Sequence, residues 1–524
     1  MIRVPSIFNE VIGPEMRGPS SSHTAASWRI AKVTLQILKE PLRKAVVEFD
    51  RKGAWASNYR EQGTVMGING GLLGLDIKDE RMKRTEKLAE ERGVEVTFGT
   101  GSFPAGHPNT MRLNLEGTWG KRLRVVAVST GGGAFELQQI DDFRVNIRGD
   151  YYELLLKKRR NEPIPPEVLA LGPRSMLVDQ CTGPEATLWN FKSPDPFTSE
   201  FIGRLANTGN RADLSGSSLE EVVIIQPLLP VPSGKETELP FDSISSMLQY
   251  ADQHSLDLGA LGILYEECRS GLPVNVLNEK MKQIIGTIEN SIRRGLEGTE
   301  YRDRILHRQS HLVRKAEKEG DIPRTIANEI IAYVTAIMEA KSAMEVVVAN
   351  PTAGSCGTVG GVLKAVAATL DSTSEELIRA YFASGLIGAY FAMGPGFSAE
   401  EHGCQVECGA ASAMAAAGIA QLMGGTAREA VDASSMAMQN MIGLVCDPVA
   451  DRVEVPCLGK NISAAMNALS SATMACAGFN AVIPLEEVLQ TVAEVGHQMP
   501  SCLKCTGKGG LSTTQTSLQI KDQL

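Results

Sequence analysis

Hydrophobic spacing divides the chain into two unlike halves. In the first, short β-branched runs alternate with polar positions. Lys44–Phe49, Val94–Phe98 and Arg122–Ser129 each read as a strand, and Phe143–Ile147 with Tyr151–Leu156 as a further pair. Ala25–Glu40 and the charged stretch Asp79–Arg92 carry helical spacing. From Asp242 onward the period becomes helical and stays so, through Ser243–His254, Asn278–Leu296 and Asp321–Ala340. After Asn350 the segments Thr358–Leu370, Ala410–Met423 and Ile462–Ala477 turn rich in Gly, Ala and Ser, a composition that lets helix backbones approach closely. The pattern predicts a multidomain chain: an α+β N-terminal domain over residues 1–159, then an all-α domain over residues 239–524. Between them, prolines such as Pro163, Pro166 and Pro196 break residues 160–238, and Pro227–Lys235 reads as a Pro-rich linker. No repeat period of 20 to 50 residues is visible.

Composition narrows the function classes. The 524 residues carry 52 Lys+Arg against 61 Asp+Glu, a formal net charge of −9, with 43% hydrophobic and 22% charged residues. An acidic balance without a long basic block argues against a nucleic-acid partner. The apolar stretch Tyr381–Met393 stops at Gly394-Pro395-Gly396 and is too short for about 30 Å of hydrocarbon, so no membrane partner is expected. The N-terminus lacks the apolar core of a signal peptide, and a cytoplasmic location is expected.

In that setting the ten cysteines are expected to be free thiols or metal ligands. Eight of them follow Asn350, which directs attention to the last third of the chain. Cys404 lies in Gly403-Cys404-Gln405-Val406-Glu407-Cys408-Gly409, whereas Cys446 and Cys457 lie beside or near prolines, in turns between helices. Turn cysteines are better placed to converge on a metal than cysteines on an apolar helix face, such as Cys476. The separations match neither short-range zinc nor ferredoxin runs, so spacing leaves a metal site open. Two pairs compete: Cys404 with Cys408, which would share a face if helical, and Cys502 with Cys505, a C-x-x-C of zinc or redox type.

Three polar strings could hold an anion. Gly18-Pro19-Ser20-Ser21-Ser22-His23-Thr24 stands at a helix start, where free amides and hydroxyls suit a carboxylate and His23 titrates near neutrality. Ser129-Thr130-Gly131-Gly132-Gly133 follows a strand, and Asn350-Pro351-Thr352-Ala353-Gly354-Ser355-Cys356-Gly357 opens another helix. The bland alternatives are a plain N-cap, a flexible turn and a capped loop.

Taken together, these strings resemble the iron–sulfur-dependent L-serine dehydratases of bacterial type. Gly18–Thr24, His107-Pro108-Asn109, Ser129–Gly133, Pro351–Gly354, Gly403–Gly409, Cys446-Asp447-Pro448-Val449, Val455-Pro456-Cys457 and Gly509-Gly510-Leu511 look like that family's motifs, in the family's order. The resemblance implies a β-type domain fused to an all-helical α-type catalytic domain. It implies a 4Fe–4S cluster on Cys404, Cys446 and Cys457, with one iron left open to act as a Lewis acid on a substrate hydroxyl. It implies a small amino-acid substrate, deaminated to pyruvate and ammonia, with His23 as acid/base. Ser20, Ser21, Ser22, Thr24, Gly63, Asn350, Thr352 and Gly354 are the expected substrate-binding residues. The three-glycine loop would close over the same cleft, and a homo-oligomer is expected. This chain departs from the family where Gln62 stands for a usual histidine, in the Thr352–Cys356 loop, and at its end, Lys521–Leu524, where some members carry a cysteine. Those departures keep other small substrates, such as L-threonine or L-cysteine, in view, as well as a non-catalytic iron–sulfur sensor.

Overall fold

Ser6 caps a π-helical turn, Ile7–Val11, by accepting from the amides of Phe8 and Asn9. This turn does not join the α+β half that its position in the sequence suggests. Ile7 and Val11 pack on Gly385 and Gly388 of the helix Ser374–Met393. Glu266 accepts from Ser6 Oγ at 2.8 Å and from the Ile7 amide at 2.7 Å, and the Tyr265 hydroxyl donates to the Pro5 carbonyl at 2.7 Å. A short strand β1 (Glu15–Arg17) follows. The structure, a computed structural model, describes residues 4–159, 163–206, 221–231, 233, 239–300 and 304–524.

Four of the expected strands join a six-stranded sheet with two that the pattern does not mark, Thr110–Gly117 and Ala134–Ile140. β2 (Leu42–Asp50), β3 (Glu95–Gly101), β4 (Thr110–Gly117), β5 (Arg122–Gly131), β6 (Ala134–Ile140) and β7 (Phe143–Ile147) assemble in the order β3-β2-β4-β5-β6-β7. Only β2 and β3 run parallel. Ala45, Val47 and Phe49 of β2 point inward, where helices Ala26–Leu38 and Thr64–Leu72 cover the face. The charged stretch Asp79–Arg92 is not one helix. Glu80–Arg84 is a 3₁₀ turn, and the α-helix spans only Thr85–Glu91, because Arg84 adopts φ −134° at the junction.

Phe143–Ile147 and Tyr151–Leu156 are strands, but they do not pair with each other. Gly149, at φ 78°, turns the chain between them. β8 (Tyr152–Arg159) enters a second sheet with β9 (Leu177–Thr182), β10 (Ala186–Ser193) and β11 (Glu221–Ile225), in the order β11-β8-β10-β9. The Leu154-Leu155-Leu156 run is buried on both faces. Leu155 joins the core of the first sheet, while Leu154 and Leu156 join Phe191 and Phe201. Of the linker-like stretch, Val231 is fully buried and exchanges two hydrogen bonds with the Asn9 side chain, at 2.7 and 3.1 Å. Residues 232 and 234–238 lie outside the described residues.

The remainder of the described chain is helical apart from β12 (Val346–Val348), which pairs antiparallel with β1. The helix Cys408–Leu422 is buried from Cys408 to Ala420, wrapped by Ser374–Met393, Ala427–Gln439 and Cys457–Cys476. Its small residues permit this: a Cβ on Gly418 would lie 3.0 Å from the Ala380 carbonyl. Among the described residues no helix is long and apolar enough to cross a membrane. Because β1 and β12 run antiparallel, Gly18 leaves one end of the pair and Asn350 the other, and the two anion-binding candidates meet farther along the chain, where the Ala353 amide reaches Ser21.

Candidate active site

The Ser20–Thr24 string is not a simple cap. Ser21–Ala25 is a π-helical turn running into the helix Ala26–Leu38, and the Ser20 side chain makes no capping bond. Ser20 Oγ instead lies 3.1 Å from His23 Nδ1, with Ser22 Oγ at 3.0 Å. His23 Nε2 lies 2.8 Å from Asn58 Oδ1. The ring is fully buried, and burial lowers its pKa against the opposing pulls of Glu400 and Asn58. A neutral imidazole follows. Its partners assign the proton to Nε2, donating to Asn58, and leave Nδ1 to accept from a serine hydroxyl. Ser22 Oγ also donates to Glu400 Oε1 at 3.1 Å, while Ser398 Oγ donates to Glu400 Oε2 at 3.2 Å. Ser22 is the half-exposed member of this chain of groups.

The other loops meet it. Ser21 Oγ accepts from the Ala353 amide at 3.1 Å. Thr24 Oγ1 donates to the Gln62 carbonyl at 3.3 Å, and Gly63, at φ 92°, leaves no room for a Cβ beside that hydroxyl. Thr352 and Ser355 cap each other's backbone, so the capped-loop alternative describes their hydroxyls. Asn350 differs. It is fully buried, and among the described residues neither its amide nitrogen nor its amide oxygen has a partner. A Cβ on Gly354 would lie 3.0 Å from Glu407 Oε1. Burial, with Cys404 and Glu400 near it, pushes the Glu407 carboxyl up to about 8. Glu407 thereby links the His23–Glu400 group to the cysteines. From the sheet, Gly131 bridges Phe397, and a Cβ on Gly132 would lie 3.2 Å from the Pro351 carbonyl. The three-glycine loop therefore closes on this place.

Cys404 lies in a 3₁₀ turn, Cys446 in a non-helical segment, and Cys457 is the first residue of a helix rather than part of a turn. All three are buried. A hydrogen bond from Cys408, aided by Lys460, lowers the Cys404 thiol to about 7. A bond with Cys505, burial and the charge of Cys404 push Cys446 up. Burial pushes Cys457 up to about 12, with Cys404 adding to the shift and Lys341 opposing it. The three thiols are thus electrostatic neighbours. Lys460 Nζ donates to the Val445 carbonyl at 2.7 Å and to Asp447 Oδ1 at 2.8 Å. Asn461 Nδ2 donates to the carbonyls of Gly354 at 2.8 Å and Cys457 at 2.9 Å, and approaches Cys408 Sγ at 3.6 Å. Among the described residues no three His, Cys, Asp or Glu groups converge as tightly as a single metal ion requires.

The structure brings Ser20–Thr24, Gly63, Asn350, Thr352, Gly354 and the three cysteines into one region. It adds Asn58, Glu400, Lys460 and Asn461, which no local pattern marks, and gives a place to Glu407 of the Gly403–Gly409 string. Cys505, half of the C-x-x-C, joins Cys446, while Cys502 remains half-exposed. Gln62 Nε2 donates to the Asp451 carbonyl at 3.2 Å and lies 3.7 Å from Cys505 Sγ.

Known proteins share this chain's second half. The family described as "Serine dehydratase alpha chain" matches residues 198–512, more than half of the chain. A "Probable L-serine dehydratase, alpha chain" of Bacillus subtilis is 36% identical over 247 residues, covering 47% of this chain and 82% of the relative. One of Latilactobacillus sakei, with the same description, is 40% identical over 196 residues, 37% of this chain and 94% of the relative. "L-serine dehydratase 1" of Escherichia coli is 32% identical over 281 residues, 52% of this chain and 62% of the relative.

Proposed function

The chain belongs to the serine dehydratase alpha-chain family and is a lyase, and from that premise we propose that it deaminates L-serine to pyruvate and ammonia with a 4Fe–4S cluster on Cys404, Cys446 and Cys457. The donor set fits such a group. Three buried thiols sense one another, and Lys460 and Lys341 offset the charge that thiolates would bring. When bound, the cluster supplies a Lewis-acidic iron that eases departure of a poor leaving group, hydroxide.

The chain's own groups do the rest. The amide of Asn350, with no partner of its own, receives the substrate carboxylate, supported by the Thr352–Gly354 loop and by Ser20, Ser21, Thr24 and Gly63. His23 is the acid/base, and both its ring nitrogens face protein atoms. It therefore acts through the half-exposed Ser22, which also reaches the Glu400 carboxylate. Loss of the Cα proton and the β-hydroxyl, as water, yields aminoacrylate. That enamine tautomerises to an imine, and water hydrolyses the imine to pyruvate and ammonia. The Gly131–Gly133 loop against Phe397 limits solvent entry.

The observation that carries this reading is the proximity of the cysteine group to the Ser22–His23–Glu400 group, joined through Glu407. The test is anaerobic purification, iron and sulfide analysis, and an ammonia-release assay on L-serine. Brown protein that bleaches in air and loses ammonia release is the expected result. Colourless protein holding zinc, or clustered protein inert towards L-serine, overturns the reading.

A further inference from the structure

Lys460 stands one turn after Cys457, in the first turn of the helix Cys457–Cys476. A cation is unfavourable there, because the helix N-terminus already carries partial positive charge. The position calls for compensating negative charge nearby. Asp447 supplies part of it, accepting from Lys460 Nζ at 2.8 Å while its other oxygen accepts from the Leu511 amide at 2.9 Å. The side chains of Lys460 and Asp447 are only 14% and 7% exposed, so water screens them weakly. The ammonium also donates to the Val445 carbonyl at 2.7 Å. Lys460 therefore clasps the residues on both sides of Cys446 from the helix that begins with Cys457. The charges of Cys404, Cys446 and Cys457 all act on it. No other cation among the described residues is shown bonded on both sides of one of these cysteines.

We propose that Lys460 sets the charge balance of the cysteine site, so that its ammonium raises the electron affinity of the cluster held by Cys404, Cys446 and Cys457, with Asp447 as a counterweight of opposite sign. The inference rests on the cluster reading above. Adding an electron to an anionic thiolate cluster costs Coulomb energy, and a fixed positive charge in a buried setting reduces that cost. The partner carboxylate increases it. Lys460 acts here as a positioning residue: no contact between it and the substrate is required.

The test is a redox titration of the anaerobic full-length protein followed by electron paramagnetic resonance, on wild type, Lys460→Met, Lys460→Arg and Asp447→Asn. Lys460→Met keeps length and loses charge, and its midpoint potential should move to more negative values. Lys460→Arg should stay near wild type. Asp447→Asn should move the opposite way from Lys460→Met. Iron retained in Lys460→Arg and lost in Lys460→Met also supports the proposal, because charge is what separates the two. An unmoved midpoint in clustered Lys460→Met overturns it, as does loss of iron from Met and Arg variants alike with wild-type circular dichroism. Wild-type protein without iron and sulfide overturns the cluster reading and this inference with it, whereas the preceding outcomes overturn this inference alone.

Discussion

Cys446 and Cys505 are neighbours, each thiol acting on the other's proton affinity, and two main-chain bonds hold the segments together. The Cys505 amide donates to the Cys446 carbonyl at 2.9 Å, and the Cys446 amide donates to the Leu503 carbonyl at 2.9 Å. Four buried thiols thus form two neighbouring pairs, Cys404 with Cys408 and Cys446 with Cys505, and the proposed ligand set takes one from each pair plus Cys457.

That choice can be checked by substitution. Cys446→Ser should abolish both iron content and ammonia release. Cys408→Ser and Cys505→Ser should keep most of the iron, because each removes a neighbour of a ligand rather than a ligand. Iron and sulfide analysis of the anaerobic variants decides. Loss of iron from Cys408→Ser with retention in Cys404→Ser would show the pair to be assigned the wrong way round.

Asn350 gives a prediction in which stability and activity part. Its buried amide lacks partners, and an unsatisfied buried polar group costs about 1–3 kcal/mol. Asn350→Ala should therefore leave the melting temperature unchanged or raised, while kcat/KM for L-serine falls about tenfold or more, equivalent to roughly 1.4 kcal/mol of lost binding. A variant that melts early and turns over normally would refute a substrate role for this side chain.

The two halves of the chain differed in how much their sequences disclosed. Alternation at Lys44–Phe49 and Arg122–Ser129 marks strands because one face of that sheet is buried and the other wet. The Ala- and Gly-rich helices are legible as buried helices because nothing polar has to point outwards. Ile7–Val11 gives no such signal: its partners Glu266 and Gly385 lie more than 250 residues away, and contacts at that separation leave no local period. The same reason hides Glu400 and Asn58, and what Glu407 does in the Gly403–Gly409 string. Each is an ordinary polar residue until the fold sets it against His23 or Gly354. The cysteines and the Ser20–Thr24 string were legible because unusual residue types were concentrated there, and Cys505 lost its C-x-x-C partner because Cys446 offered a backbone bridge.

Gly63 and Gly74 form a natural pair of controls. Both have positive φ, 92° and 76°, but a Cβ on Gly63 collides with Thr24 Oγ1, while nothing lies within 4 Å of one on Gly74. Gly74→Ala should cost about 1 kcal/mol from backbone strain alone. Gly63→Ala should cost clearly more and should also weaken L-serine binding, because Thr24 must move. Urea midpoints of the two variants, with KM values, test this. Equal destabilisation and equal KM would remove Gly63 from the site.

Glu153 gives the pH dependence, well away from the cysteines. It lies on β8, opposite Lys192 of β10 in the register. Asn190 Nδ2 donates to its Oε2 at 2.8 Å, but among the described residues Oε1 has no hydrogen-bond partner. Burial pushes its pKa from 4.5 up to about 8, against the opposing pulls of Lys192 and Asn190. Between those values the folded protein holds a proton that the unfolded chain has released. Folding therefore binds protons, and stability falls as pH rises through this window, by at most about 1.4 kcal/mol per unit. Glu153→Gln removes the titration while keeping shape and polarity. Its gain in melting temperature over wild type should be small near pH 5, grow towards pH 8 and level off above it. A gain that is the same at pH 5 and pH 8 would mean that Glu153 is already ionised in the fold, its charge carried by Lys192, and that the sheet pays no penalty for burying it.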